Sequence, residues 1–322
     1  MNKNTLIQKH FQKIHLLKME NPQYQKAVNT LFSWLLACDH AENDITAKLI
    51  DNKSVRASIR TKQDIIVAGI EEIEYFLKKY PEITFQKKVN DGEQLKKGGK
   101  IAVISGTSGT ILSLERTILN VLQKMSGIAT QTQKFAQILS PIQIASTRKT
   151  PWMLLDKKAV AIGGGLTHRL DLSDGILIKD NHLQILKNQH KLNSEAQAVT
   201  LALEMALKLT SNNLSIEQSN NSFIEIEVTS KESANAAIKV FSQTKIINSL
   251  TIMLDNWNPK EVQNFMKDVA TNPDASSIIF EASGNISESN LQDWAQSGVN
   301  IISSGALTHS TKAADLSLSI NS

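Results

Sequence analysis

The hexapeptide Phe223-Ile224-Glu225-Ile226-Glu227-Val228 decides how the chain is read. Successive side chains of a strand alternate faces, so Ile224, Ile226 and Val228 share one face while Glu225 and Glu227 share the other. That pattern suits the wall of a barrel, with its apolar face covered by helices and its carboxylates directed inward. Unpaired ionised carboxylates in such a place cost several kcal/mol. Glu225 and Glu227 must therefore face cations, a metal ion or substrate, and pairing with an internal Lys or Arg is the purely structural alternative.

Outward from this strand the same rhythm repeats. Short runs rich in Ile, Leu and Val occur at 142–147, 175–179, 251–255, 277–281 and 299–303. Amphipathic stretches separate them, among them 232–241 and 259–269, the latter with Pro259 placed for a first helical turn. Repeated βα units in one sheet must be parallel and covered on both faces. The expected architecture is an α/β fold whose centre is a parallel, TIM-like barrel, closed or incomplete, over residues 129–307. An open doubly wound sheet is the alternative. Residues 1–128 mix helical patterns with β-like runs at 65–69 and 101–104 and read as an N-terminal α+β domain, on which residues 308–322 pack back. Residues 114–125 predict a helix with Gly127 at its C-cap, and Ser211–Ser222 predicts an exposed loop. Leu6, Phe11, Ile14 and Leu17 form an amphipathic pattern expected to pack on their own domain.

Composition narrows the function. With 322 residues, 41% hydrophobic and 20% charged, the chain has material for a sizeable core, which excludes small disulfide scaffolds and global disorder. No apolar run is long enough to cross a bilayer and the N-terminus lacks a secretory pattern, so a cytoplasmic location is expected. The single cysteine, Cys38, in a Leu-Leu-Ala-Cys run, reads as a buried small hydrophobe. A net charge of +4 without a basic block argues against nucleic acid and suits an anionic small molecule. P-loop, dinucleotide-fold glycine, HExxH and cysteine–zinc motifs are all missing.

Polar residues gather where the candidate strands end: Arg148 and Lys149, Lys179, Glu227, Asp255, Ser283-Gly284-Asn285 and Ser304-Gly305. In a parallel barrel these ends converge on one rim, where barrel active sites are built. Arg148 and Arg169 are each able to grip a carboxylate bidentately, and Lys179 adds a point charge. His168 joins this cationic set, just after Gly163-Gly164-Gly165. Glu227 and Asp255 are placed to share a magnesium ion, which takes one or two carboxylates plus substrate phosphates. Backbone N–H groups after the last two strands suit a phosphate, with His309 as a further donor.

Taken together, Glu115-Arg116-Thr117, Thr147-Arg148-Lys149-Thr150, Gly163-Gly164-Gly165 with His168-Arg169-Leu170, Ile178-Lys179-Asp180-Asn181-His182, Glu225-Ile226-Glu227-Val228, Leu254-Asp255-Asn256, Glu281-Ala282-Ser283-Gly284 and Gly305-Ala306-Leu307-Thr308-His309 resemble the quinolinate phosphoribosyltransferase family. The resemblance implies transfer of phosphoribose from phosphoribosyl pyrophosphate to quinolinate, with decarboxylation, giving nicotinate mononucleotide for NAD synthesis. It further implies that Arg148, His168, Arg169 and Lys179 hold quinolinate, and that Arg116 completes the site of a partner subunit in a homodimer or higher oligomer. Lys149, Glu227 and Asp255 become the catalytic set, with magnesium on Glu227 and Asp255. Lys149, Ser283, Gly284, Asn285, Ser304, Gly305 and His309 become the phosphoribosyl pyrophosphate site. Two departures stand out: Asn285 where the family often has Gly, and a shorter loop that runs from Thr150 straight into Pro151-Trp152. Two other readings remain at this point: a molybdenum-transport-associated phosphoribosyltransferase-like protein, and a Schiff-base aldolase using Lys179.

Overall fold

The computed structural model describes residues 2–213, 223–244, 246–247 and 249–321. Its chain divides into two compact units. The first holds residues 1–13, 135–148 and 166–306, and the second holds 14–134, 149–165 and 307–322.

The first unit is built on a six-stranded parallel sheet. Its strands are β6 (Gln143–Ala145), β7 (Ile176–Ile178), β8 (Ile224–Val228), β9 (Leu250–Asp255), β10 (Ile278–Ser283) and β11 (Ile301–Ser303). They lie in the order β6-β11-β10-β9-β8-β7. From β7 to β11 every strand neighbours its successor in sequence, and β6 then pairs with β11, so the order wraps as in a barrel. An open doubly wound sheet would reverse direction at a switch point, and this one does not. The remaining gap, between β6 and β7, is narrowed by a parallel bridge from Ala145 to Leu166. The barrel is incomplete, as the sequence allowed.

Helices α6 (Asp180–Gln189), α7 (Glu195–Asn213), α8 (Lys231–Ser242) and α9 (Pro259–Ala270) follow the strands. Helix α9 starts where the sequence predicts, at Pro259, behind a capping box in which Asn258 and Glu261 bond each other's backbone N–H. Ser211–Asn213 belong to the end of α7, and the rest of the predicted loop, 214–222, lies outside the described residues. Helix α1 (Lys3–Phe11), capped by Asn2, packs Leu6, Ile7 and Phe11 against Ala145, Leu166, Phe223, Ile279 and Ile301. Phe223, Ile279 and Ile301 sit at the starts of their strands, so α1 floors the barrel at the end opposite the rim. The expectation that Leu6, Phe11, Ile14 and Leu17 pack together on the N-terminal domain is corrected: α1 ends at Phe11, Leu6 and Phe11 pack into the barrel unit, and Ile14 and Leu17 count in the second unit.

The second unit contains an antiparallel sheet in the order β12-β1-β5-β3, from β1 (Ser54–Thr61), β3 (Thr84–Lys87), β5 (Lys100–Thr107) and the C-terminal β12 (Leu316–Asn321), and a separate short pair, β2 (Ile65–Ile66) with β4 (Gln94–Leu95). Helices α2 (Pro22–Asp39), α3 (Ile70–Leu77) and α5 (Leu154–Ile162) belong to it, as does most of α4 (Ser108–Leu139). Helix α4 runs through Gly127 instead of ending there. Gly127 is required by close approach, since a Cβ on it would lie 2.2 Å from the Lys312 carbonyl oxygen. Cys38 is exposed, contrary to expectation, because α2 buries Tyr24, Val28 and Phe32 and the face carrying Cys38 turns away.

Candidate active site

The strand parity read from the sequence holds, and it orders the barrel interior in layers. Phe223, Ile279 and Ile301 form the floor layer above α1. Two residues further along the strands come Glu225 and Glu281, both fully buried, and then Glu227 and Ser283 near the rim. Glu227 lies opposite Met253 in the β8–β9 register, so Asp255 projects from the same face two residues higher. Barrels fill their interiors in such layers and place chemistry on the uppermost one.

Each interior acid meets a cation of the predicted set. Lys179 Nζ donates to Glu227 Oε1 at 2.9 Å. His168 Nε2 lies 3.2 Å from Glu225 Oε2 and 3.4 Å from Glu281 Oε2. The structural alternative of pairing with an internal lysine thus applies to Glu227, whereas Glu225 meets His168, whose side chain faces the interior acids. Its side chain points down into the barrel, its ring tilted against the Phe11 ring at a centroid distance of 4.9 Å. Its other nitrogen, Nδ1, accepts the Arg169 backbone N–H at 2.8 Å. Neither ring nitrogen is left to grip a substrate.

The protonation of this cluster follows from geometry. Burial alone lowers the His168 pKa, but the Glu225 and Glu281 charges outweigh it and push it up to about 9. Burial and the Glu281 charge in turn push Glu225 up to about 7. Nδ1 accepts the Arg169 N–H, so the ring hydrogen sits on Nε2 between the two acids, and the raised pKa values of His168 and Glu225 hold a shared proton in the cluster. His168, Glu225 and Glu281 bring potential ligand atoms within 4.8 Å of one another, the spacing of a metal site. An Nε2 that keeps its hydrogen has no lone pair for a metal, so the trio does not suit one. All four carboxylate oxygens lack an aligned hydrogen-bond donor among the described residues.

Next in sequence to His168, which adopts φ 53°, Arg169 is also buried. Its Nη1 donates to the carbonyl of Gly175, just before β7, at 3.4 Å. Burial and then the neighbouring Arg148 charge push its pKa down. A buried guanidinium with a like charge in range favours an anionic partner.

The loops after β9 and β10 lock together. Asn256 N–H donates to the Ser283 carbonyl at 2.9 Å, Asn256 Nδ2 donates to Asp255 Oδ2 at 2.7 Å, and Asn285 Nδ2 reaches Asn256 Oδ1 at 3.4 Å. Gly284 is obligatory here: its φ is +98° and a Cβ would sit 2.3 Å from Asn256 Oδ1. Ser304 is spent as a brace, its hydroxyl donating to the Ile286 carbonyl at 2.6 Å and accepting the Ala306 N–H at 3.2 Å. Its side chain is therefore committed, and a phosphate there would rely on backbone N–H groups.

The remaining predicted residues belong to the second unit. Arg116 is exposed on α4, and His309 is exposed with Nδ1 2.6 Å from Ser310 Oγ. Lys149 is exposed, and its carbonyl accepts the Thr308 hydroxyl at 2.7 Å. A residue that the sequence did not single out supports this loop: buried Asp156 accepts the Thr150 hydroxyl at 2.5 Å and the Trp152 N–H at 3.3 Å. Its only sequence signal is its place six residues after Thr150, on the first turn of α5. Gly163 serves close packing, since a Cβ would lie 2.3 Å from the Ala129 carbonyl oxygen.

Fold and site together define a barrel enzyme whose rim sets paired cations against carboxylates, the arrangement of a transferase for polyanionic substrates. The C-terminal domain model of quinolinate phosphoribosyl transferase matches residues 128–319, and the N-terminal domain model matches 44–126. The chain belongs to the quinolinate phosphoribosyltransferase family. It is 36% identical to a probable carboxylating nicotinate-nucleotide pyrophosphorylase of Methanocaldococcus jannaschii, over 88% of this chain and 94% of that one. It is 40% identical to a mitochondrial decarboxylating quinolinate phosphoribosyltransferase of Nicotiana glauca, over 86% of this chain and 77% of that one. Among solved structures, the nicotinate-nucleotide pyrophosphorylase of Francisella tularensis superimposes with a TM-score of 0.75 at 32% identity, covering 92% of this chain and 96% of that one.

Proposed function

We propose that this chain transfers the phosphoribosyl group of phosphoribosyl pyrophosphate to quinolinate and releases pyrophosphate and carbon dioxide, forming nicotinate mononucleotide for NAD synthesis. The observation that carries this reading is the cationic set of the first unit: Lys179 held by Glu227, the buried Arg169 next to His168, and Arg148 following β6. Two guanidinium groups and an ammonium match two adjacent carboxylates on a flat ring better than they match one. Arg148, Arg169 and Lys179 orient the pyridine nitrogen toward the ribose carbon, and His168 supports Arg169 from beneath. As the new N–glycosidic bond forms, the bond to pyrophosphate breaks. The pyridinium then accepts the electron pair of the departing 2-carboxylate, and a proton replaces it on the ring.

Glu227 and Asp255 fit a shared magnesium ion, since they project from one face of adjacent strands and both lie near the rim. Bound there with pyrophosphate oxygens, magnesium would supply charge neutralisation of the leaving group. Lys149 adds a cation on the leaving group, while the backbone of Gly284, Asn285 and Gly305, with His309, receives the 5′-phosphate. The working form is a homodimer in which Arg116 completes the partner's site. Exposed Trp34, Ile45 and Leu49 in one unit, and Ile185, Met205 and Leu209 in the other, supply apolar surface for such association. A reducing cytoplasm suits the lone exposed thiol of Cys38. No helix among the described residues is long and apolar enough to cross a membrane. The aldolase reading loses support, because a Schiff-base lysine is activated by desolvation and the Lys179 side chain is 43% exposed and ion-paired.

Incubation of the purified chain with magnesium, phosphoribosyl pyrophosphate and carboxyl-labelled quinolinate tests the proposal. Stoichiometric nicotinate mononucleotide and labelled carbon dioxide are expected, with nicotinate a poor substitute. Turnover of nicotinate at the quinolinate rate would refute it.

A further inference from the structure

Residues 2–13 precede the segment matched by the N-terminal domain model, which starts at residue 44, and they grip the backbone that carries Arg169. The Phe11 carbonyl accepts both the His168 N–H at 2.9 Å and the Thr167 hydroxyl at 2.8 Å. Thr167 Oγ1 also accepts the Lys13 N–H at 2.9 Å. The Phe11 ring, wholly buried, lies 4.9 Å from the His168 ring and 4.7 Å from Phe223, with His168 edge-on to Phe223 at 5.8 Å. On the other side of Arg169, the nearly buried Lys13 ammonium donates to Asp174 Oδ1, and Asp174 Oδ2 accepts the Leu170 N–H at 2.8 Å. Residues 167, 168 and 170 are thus all tied, directly or through Asp174, to this one N-terminal segment.

His168 needs such support. It is a non-glycine residue at φ 53°, a conformation that costs about 1 kcal/mol or more and persists only where its surroundings impose it. Its ring cannot relax upward without breaking the Nδ1 contact to the Arg169 N–H. A shift of the floor would therefore be passed to the Arg169 guanidinium, and about 1 Å of misplacement is enough to cost up to ~100-fold in function.

We infer that the N-terminal segment is a positioning strap for the dicarboxylate grip, with Phe11 as the floor under His168 and Lys13 as the tie through Asp174. This rests on the reading of Arg169 as a quinolinate ligand. Neither residue touches substrate, so the predicted defect is selective.

Steady-state kinetics of the full-length chain, with quinolinate and phosphoribosyl pyrophosphate varied separately, test the strap. Lys13→Met and Phe11→Ala are expected to raise the quinolinate KM about tenfold while the phosphoribosyl pyrophosphate KM and kcat change less than about twofold, and Phe11→Leu to recover most of the loss. Hydrogen exchange should accelerate at residues 167–174 in Lys13→Met and remain unchanged in β1 and β5. If Phe11→Ala does not fold, Lys13→Met decides. An unchanged quinolinate KM in folded Lys13→Met, or an equal rise of both KM values, overturns the strap. If the wild-type chain does not use quinolinate, the functional reading fails instead, and unchanged exchange at 167–174 in Lys13→Met is then what overturns the strap.

Discussion

Both units bury a cluster of charges, and the two clusters are built to opposite rules. In the second unit Lys158 on α5 donates to Glu71 and, at 2.5 Å, to Glu72 on α3. The Tyr24 hydroxyl donates to Glu72 at 2.7 Å, and the ammonium lies 5.1 Å from the Tyr24 ring centroid. Asp91 caps α3 by accepting the Ile70 N–H at 2.9 Å. Every charged group there has at least one aligned partner, with Glu72 Oε2 alone left over in the Lys158–Glu71–Glu72 trio, so the cluster reads as structure that joins α2, α3 and α5. In the first unit one imidazole faces two buried acids, and none of their four oxygens has an aligned donor. Partly satisfied polar clusters are costly and persist where function needs them. The contrast teaches that burial of charge alone does not mark a site, whereas burial without full pairing beneath a cationic rim does.

The comparison is open to direct attack, most strongly through the paired cluster. Lys158→Met leaves Glu71 and Glu72 without their cation and should cost about 3–5 kcal/mol of stability, read by denaturant unfolding, with both KM values unchanged. A neutral result would place Lys158 outside the load of the fold. Asp91 supplies the next effect. Burial and then the Glu72 charge raise its pKa from the usual 3.8 to about 6, so the folded state favours its protonated form. The stability this gives is complete below about pH 3.8 and is lost as the pH rises through 6, a change of about 3 kcal/mol. Asp91→Asn keeps the cap acceptor and removes the titration, so its Tm should gain on the wild type between pH 4 and pH 7. A constant gap would contradict the assignment. The smallest change in stability is expected in the unsatisfied cluster. Glu281→Gln relieves repulsion beside Glu225 and should shift stability by less than about 1 kcal/mol, or raise it, while lowering activity through His168. A large loss of stability would class Glu281 with the paired acids of the other unit.

Much of the barrel was legible because its strands are short β-branched runs and a period of two sorts their faces without reference to anything else. The inward direction of Glu225 and Glu227 followed from that alone. Pairing did not, since Lys179 with Glu227 and His168 with Glu225 are 48 and 57 residues apart, and only the closing of the sheet decides which cation meets which acid. His168 was grouped with the ligand-gripping cations for this reason. Gly127 misled because glycine signals a helix end locally, whereas here it answers to a carbonyl from residue 312. The exposure of Cys38 depends on the helical phase of α2, which its apolar run alone does not set. The strap went unseen because its main contacts use the Phe11 carbonyl and one buried lysine, groups that carry no motif.

Calorimetric titration of the chain with quinolinate and, separately, with nicotinate tests most directly whether the rim is built around two carboxylates. Quinolinate should bind at least about 100-fold more tightly than nicotinate, and Arg169→Ala should remove most of that difference. Equal affinity for the two acids, or a preference that survives Arg169→Ala intact, would contradict a dicarboxylate grip at Arg148 and Arg169.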